Sequence, residues 1–114
     1  MKDPRIYLLH VQECIARIER YTSGGRQAFL GSEITQDAVL RNLQTIGQSI
    51  ARVPPEITAT RPDVDWRSIV GFRNVLVHDY LGVNLARVWE IPERDLPVLK
   101  LAIHNLLLNL EGAP

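Results

Sequence analysis

The residues with the most distinctive chemistry lie in one run, Arg73-Asn74-Val75-Leu76-Val77-His78-Asp79-Tyr80. A histidine can accept a proton from a ribose 2′-hydroxyl or donate one to a leaving oxygen. An arginine nearby can stabilise negative charge that develops on a phosphate. Arg73 and His78 would therefore suffice for metal-free RNA cleavage, in which the 2′-oxygen attacks its own phosphorus. Tyr80 could position a phosphate, or its hydroxyl could be modified by another enzyme.

The same run is also compatible with an ordinary helix end that carries a hydrogen-bonded histidine and an Arg73–Asp79 ion pair. Short motifs arise by chance, so the spacing alone does not exclude this alternative. The rest of the sequence lacks a glycine-rich phosphate loop and a nucleophile elbow. His10, His78 and His104 are too scattered to indicate a zinc site. The sequence therefore predicts neither a resident metal nor a cofactor.

The run lies in an apolar stretch that begins at Trp66 and is typical of a helix. At about 100° per residue, four apolar positions share a face wide enough to meet a core, namely Ile69, Phe72, Val75 and Leu76. The remaining face mixes valines with the polar residues, namely Val70, Arg73, Asn74, Val77, His78 and Tyr80. Because this second face is not a charged, solvated one, it predicts a second copy of the chain as its partner.

Two long helices are predicted before this stretch. The first begins at Asp3-Pro4, a capping side chain followed by a proline that suits the first helical position. It ends near Tyr21, and its core stripe is Leu8, Val11, Ile15 and Ile18, supported by Ile6 and Tyr21. The second is capped by Ser32 or Thr35 and ends at Pro54-Pro55, with Gly47 at a close approach to a larger neighbour.

The remaining segments complete an all-α prediction. Residues 54–65 form a connector with one helical turn, and Asp63 or Asp65 caps the Trp66 helix. Leu85–Ile91 forms a short helix, and the last long helix carries the apolar stripe Leu99, Ile103, Leu106, Leu107 and Leu110. The predicted fold is an antiparallel bundle of four main helices plus a short one, assembled as a homodimer.

Composition limits the class of protein. The 114 residues suit one domain, and 13 basic against 13 acidic residues argue against a sequence-independent duplex binder. No apolar run reaches the roughly 18 residues of a membrane span, and the N-terminus lacks a secretory apolar region. The lone Cys14 cannot form an internal disulfide and is expected in or near the core. We therefore expect a cytoplasmic protein.

The motif Arg-x4-His-x-Tyr at a helix end resembles that of the HEPN superfamily, and in particular its HepT-like toxins. These toxins are ribonuclease partners of minimal nucleotidyltransferase antitoxins. The similarity extends from about residue 36 to 100 and includes flanking segments in family-like positions, namely Arg41-Asn42-Leu43, Ile46-Gly47, Trp66-Arg67, Gly71–Asn74, His78–Tyr80, Val88-Trp89 and Asp95–Pro97. The resemblance identifies residues 1–114 as a single HEPN domain.

This resemblance implies roles for particular residues. Arg73 and His78 would be the catalytic pair, in a cleft between two protomers, with Asn74 as a supporting polar residue. Tyr80 would be the hydroxyl that the antitoxin adenylylates to silence the toxin. Gln48 departs from the family, which often has a glutamate there that could orient the motif arginine. The implied function is a metal-independent RNase toxin acting on RNA; the alternatives are a non-catalytic nucleotide-binding or scaffold module for a nucleotidyltransferase, or a purely structural dimer.

Overall fold

The computed structural model describes residues 3–78 and 84–112, with the side chains of residues 74–78 outside the description. The described residues form helices and connecting turns without a strand, which confirms the all-α prediction. In chain order the elements are α1 (Pro4–Tyr21), α2 (Arg26–Leu30), α3 (Glu33–Ile50), α4 (Pro55–Thr58), α5 (Trp66–His78), α6 (Leu85–Glu90), a π-helical turn (Ile91–Asp95) and α7 (Leu96–Glu111). The complete bundle and the homodimer stay predictions.

The helix starts follow capping side chains. Asp3 accepts a hydrogen bond from the Arg5 backbone N–H at 2.9 Å, directly before Pro4. Of the two candidates for α3, Ser32 is the cap, and its hydroxyl accepts from the Thr35 N–H at 3.2 Å. The predicted end of α3 at the prolines is wrong, because the helix stops at Ile50 and residues 51–53 form a turn. The proline at 54 disfavours helical backbone in the residue before it, which explains the earlier stop.

The main contacts join α3 to both α1 and α5, and α1 to α7. Helices α1 and α7 run in opposite directions, since the Lys100 ammonium lies 3.0 Å from the Glu19 carboxylate. The predicted core stripe of α1 is buried, whereas the support assigned to Ile6 and Tyr21 is wrong, because these side chains are 55% and 39% exposed. Ile6 lies about 200° around the helix from Leu8, and Tyr21 is the last residue before the chain turns away.

Helix α2 is an element that the sequence pattern did not reveal. Gly25 precedes it with φ of 89°, a left-handed conformation that favours glycine. Its Phe29 is buried and lies against Trp89 of α6, with ring centroids 5.5 Å apart. A five-residue helix with a single buried side chain shows no helical repeat of apolar residues. The contact between Phe29 and Trp89 could therefore not be predicted from the sequence pattern.

The π-helical turn joins α6 to α7. Pro92 lacks the backbone N–H that an α-helix would need at this point, so the ladder widens instead of continuing. Within the described ranges, no helix is both long enough and apolar enough to cross a membrane.

Candidate functional site

The crossing of α3 and α5 fixes the backbone of Arg73. A Cβ atom added to Gly47 of α3 would lie 2.8 Å from the Arg73 backbone nitrogen. It would also lie 3.0 Å from the carbonyl oxygens of Ile69 and Val70. Only glycine allows two helix backbones to approach this closely, which confirms the close approach predicted at Gly47.

The start of α5 is held by local hydrogen bonds. The Asp65 carboxylate accepts from the Ser68 backbone N–H at 3.2 Å and from the Ser68 hydroxyl at 2.7 Å. These two bonds lower the pKa of the Asp65 carboxyl and so favour its ionised form. The resulting negative charge lies at the N-terminal end of α5, where the helix dipole is positive. The Trp66 indole N–H donates to the Arg61 carbonyl at 2.9 Å. Asp65 is therefore the cap of α5, and Arg73 extends from a helix secured at its start and at its crossing.

The exposed side chain of Arg73 borders a cleft between α1 and α3, which we call the α1–α3 cleft. Its volume is about 540 Å³, and its lining residues are Tyr7, His10, Thr45, Gln48, Ser49, Ala51, Arg52 and Arg73. Within the described part of the chain, the lining contains two arginines and no carboxylate. This surface can therefore hold an anion, and a guanidinium fork is well suited to phosphate.

Arg73 also borders a second groove, of about 370 Å³, on the side of α4 and the start of α5. This groove is more apolar, with Val53, Trp66 and Val70 in its lining, and it adds the exposed Arg67. Arg73 thus lies between a polar, basic cleft and a largely apolar groove. The two surfaces can serve different purposes, one for an anionic ligand and one for a helix of another chain.

The remaining predicted site residues fall at or beyond the edge of the description. Asn74 and His78 belong to α5, and His78 is its last residue. His78 is five positions after Arg73, which corresponds to a rise of about 7.5 Å along one continuous helix. The side chains of Asn74 and His78 are outside the described residues, as are the whole of Asp79 and Tyr80.

The structure brings Arg73 together with Gln48, the position that the family resemblance links to the motif arginine, and with three residues that the sequence did not connect to it. Gln48 was noted as a departure from the family, and it lines the same cleft as Arg73. Tyr7, His10 and Arg52 have no role in the site that the sequence predicts. One signal was available: Tyr7 and His10 are three residues apart, so they share a face of α1 beside the core stripe.

The family model for HepT-like ribonucleases matches residues 11–106, which include α3, α5 and the whole Arg73–Tyr80 run. The chain belongs to the HepT-like ribonuclease family. The "Probable ribonuclease HepT" of Thermococcus cleftensis is 34% identical over 95 residues, covering 82% of this chain and 86% of that protein. This membership confirms the resemblance drawn from the motif and its flanks.

Two further relatives have names that include a putative RNase. "Putative RNase TTE0752" of Caldanaerobacter subterraneus is 34% identical over 108 residues, 94% of this chain and 96% of its own length. A Methanocaldococcus jannaschii protein named as a γ-glutamylcyclotransferase and putative RNase is 35% identical over 111 residues. That alignment includes 96% of this chain, which spans half the length of this relative. The comparison with solved structures gives no significant match.

Proposed function

We propose that this HepT-like chain is a metal-independent endoribonuclease toxin whose catalytic pair is Arg73 and His78. The observation that carries the proposal is the family match across the Arg73–Tyr80 run. The position of Arg73 supports it, because the guanidinium borders a cleft whose described lining includes a second arginine and no carboxylate. An anionic backbone such as that of RNA is the ligand class that this charge arrangement favours.

The proposed reaction is an internal transfer within the RNA. The ribose 2′-oxygen attacks the adjacent phosphorus, and the bond from phosphorus to the 5′-oxygen breaks. The His78 imidazole takes the proton from the 2′-hydroxyl or returns one to the departing 5′-oxygen. Arg73 stabilises the charge that builds on the phosphate oxygens. The products are a 2′,3′-cyclic phosphate, or the 3′-phosphate formed by its hydrolysis, and a 5′-hydroxyl.

Incubation of the purified chain with an RNA oligonucleotide in EDTA tests this mechanism. We expect cleavage to persist in EDTA and to leave 2′,3′-cyclic or 3′-phosphate ends. His78→Ala abolishes cleavage while circular dichroism stays native. Arg73→Lys is strongly impaired, because an ammonium cannot reproduce the guanidinium fork. Cleavage that requires Mg²⁺, or that survives His78→Ala, contradicts the mechanism.

We also propose that the active chain is a homodimer, with the motif helices of two protomers side by side. The groove on the Val70 side of Arg73 supports this arrangement, because it is lined by apolar residues beside the motif. A helix of a second copy would cover these residues and complete the RNA cleft. Sedimentation at micromolar concentration measures the assembly directly, and a monomer there contradicts it.

Regulation through Tyr80 is the third part of the proposal. A minimal nucleotidyltransferase partner would join the Tyr80 oxygen to the α-phosphorus of ATP and release pyrophosphate. The added negative charge would compete with RNA phosphate for Arg73 and obstruct the cleft. We expect co-expression with a cognate nucleotidyltransferase to raise the mass of the chain by whole AMP units on Tyr80. Tyr80→Phe blocks both the modification and the silencing; a mass that maps to Tyr7 or Tyr21 contradicts this role.

One observation favours a second candidate, a non-catalytic HEPN module that binds a nucleotide or serves as a scaffold for its nucleotidyltransferase. Gln48 lines the Arg73 cleft, and a neutral amide orients a guanidinium less firmly than a carboxylate does. Gln48→Glu distinguishes the two candidates. If the wild-type chain is an RNase with a loosely oriented arginine, Gln48→Glu raises kcat. A chain in which neither form cleaves RNA fits the non-catalytic module.

A further inference from the structure

We propose that the α1–α3 cleft is a binding subsite for a nucleotide of the RNA substrate, next to the phosphate held by Arg73. Tyr7 would provide the stacking surface for the base, and Arg52 would pair with the flanking phosphate. The inference rests on the proposed function for the class of ligand. It adds residues of α1 and of the α3 end that neither the motif nor the family match assigns, since Tyr7 and His10 precede the matched residues.

The shape of the cleft fits a ligand of this size. Its volume of about 540 Å³ lies within the roughly 300–1,000 Å³ typical of small-molecule sites. Thr45, Gln48 and Arg52 are spaced three and four residues apart, so they share one face of α3 and its C-terminal turn. From Thr45 to Arg52 the lining extends about 10 Å. An extended single strand of RNA can therefore lie along α3 and reach Arg73 at the α3–α5 crossing.

Tyr7 is held in a suitable way for stacking. Its ring is half-buried and packs against the core, while it still lines the cleft. A ring that is already ordered loses little conformational freedom when a base stacks on it. Stacking on aromatic side chains tolerates every base, which suits an enzyme that binds single-stranded RNA.

The charges point to an anion in this cleft specifically. Arg52 and Arg73 supply positive charge, and none of the described residues that line the cleft is a carboxylate. Another cleft, on the α5 face that carries Phe72, is lined by three carboxylates, namely Asp63, Asp65 and Asp95. Asp63 is paired with Arg61, which offsets part of this negative charge, but Asp65 and Asp95 still make the acidic cleft less favourable for phosphate than the α1–α3 cleft.

Binding of a 2′-O-methyl RNA oligonucleotide, which cannot be cleaved, measures the subsite separately from catalysis. In fluorescence anisotropy we expect Tyr7→Leu and Arg52→Gln each to weaken binding about fivefold or more. Tyr7→Phe keeps the ring and binds as the wild type does. The matched controls Tyr21→Leu and Arg20→Gln alter exposed residues that do not line the cleft, and their affinities stay at the wild-type value.

The salt dependence separates the two roles. Arg52→Gln reduces the slope of log affinity against log salt by about 0.7, the amount expected for one lost phosphate contact on a single strand. Tyr7→Leu weakens binding without changing this slope. On cleavable RNA both variants raise KM and leave kcat near the wild-type value, because Arg73 and His78 are intact.

The outcomes distinguish this subsite from the proposed function. Wild-type cleavage with unchanged binding in Tyr7→Leu and Arg52→Gln overturns the subsite and leaves the RNase proposal standing. If the wild-type chain cleaves no RNA but both variants bind the oligonucleotide more weakly, the subsite is supported and the RNase proposal is overturned. A wild-type chain that binds no RNA overturns the subsite. If Tyr7→Leu does not fold, the exposed Arg52 and its salt slope decide the question.

Discussion

Replacement of Gly47 tests whether the α3–α5 crossing positions Arg73. In Gly47→Ala the added methyl group meets three backbone atoms at 2.8–3.0 Å, and none of them can rotate away as a side chain would. Overpacking of this kind costs about 1–3 kcal/mol, and we expect the upper end because relief requires moving a helix. The better helix propensity of alanine returns about 1 kcal/mol. The net loss in the free energy of unfolding is therefore about 2 kcal/mol.

Urea unfolding followed by far-UV circular dichroism measures this loss. With a denaturant slope of about 1–3 kcal/mol per molar, we expect the midpoint to fall by about 1 M. All variants are compared at one protein concentration, since the midpoint of an oligomer depends on it. Gly71→Ala is the matched control on α5, because a Cβ there meets no atom of the described residues within 4 Å. This control gains about 0.5–1 kcal/mol from helix propensity alone, so its midpoint rises.

The two glycine variants should therefore move in opposite directions. A Gly47→Ala chain that unfolds at the wild-type urea concentration refutes the reasoning, as would equal shifts in both variants. RNA cleavage provides a second readout. Gly47→Ala displaces the Arg73 backbone and lowers cleavage, whereas Gly71→Ala keeps it.

Three further predictions concern charge, thiol chemistry and assembly. Hydrogen bonds from Ser68 lower the folded-state pKa of Asp65. The stability that the ionised Asp65 contributes is therefore present above its unfolded pKa of about 3.8 and is lost as the pH falls below that value. Asp65→Asn keeps the cap, and in urea titrations at acid pH it loses less stability than the wild type does. Burial raises the pKa of the Cys14 thiol, so we expect slow labelling by iodoacetamide in the native chain and fast labelling in urea; fast native labelling contradicts the buried placement. Val77→Glu places an unpaired charge in the proposed interface, so we expect sedimentation to show a monomer. A dimer that persists in this variant means that the interface lies elsewhere.

The long helices could be predicted because each repeats its core residues at helical spacing over several turns. Two local signals were also informative. Asp3-Pro4 marks a helix start, and Gly47 marks a close approach of two helices. Helix α2 was missed because its five residues carry one buried side chain, Phe29, whose partner Trp89 is distant in sequence. Such long-range contacts leave no local period.

The site was predicted only where a motif marks it. Arg73 was found from its spacing to His78 and from the family, and the family assignment is confirmed. The roles of Arg73, Asn74, His78 and Tyr80 stay predictions. Tyr7 and Arg52 could not be connected to Arg73, because the packing of α1 on α3 and of α3 on α5 brings these three residues to one cleft.

The zero net charge of the chain is compatible with a nucleic-acid ligand once the positions of the charges are known. At physiological ionic strength, charges farther apart than about 8 Å are largely screened, so a phosphate responds to its immediate surroundings. Among the described residues, the cleft beside Arg73 contains Arg52 and no carboxylate, while three aspartates line a cleft on another face of α5. Long-range attraction of duplexes, which needs many neutralised phosphates, is therefore weak. These positions of the charged residues favour binding of a short single-stranded segment. Few of its phosphates are bound, and base stacking supplies the remaining affinity.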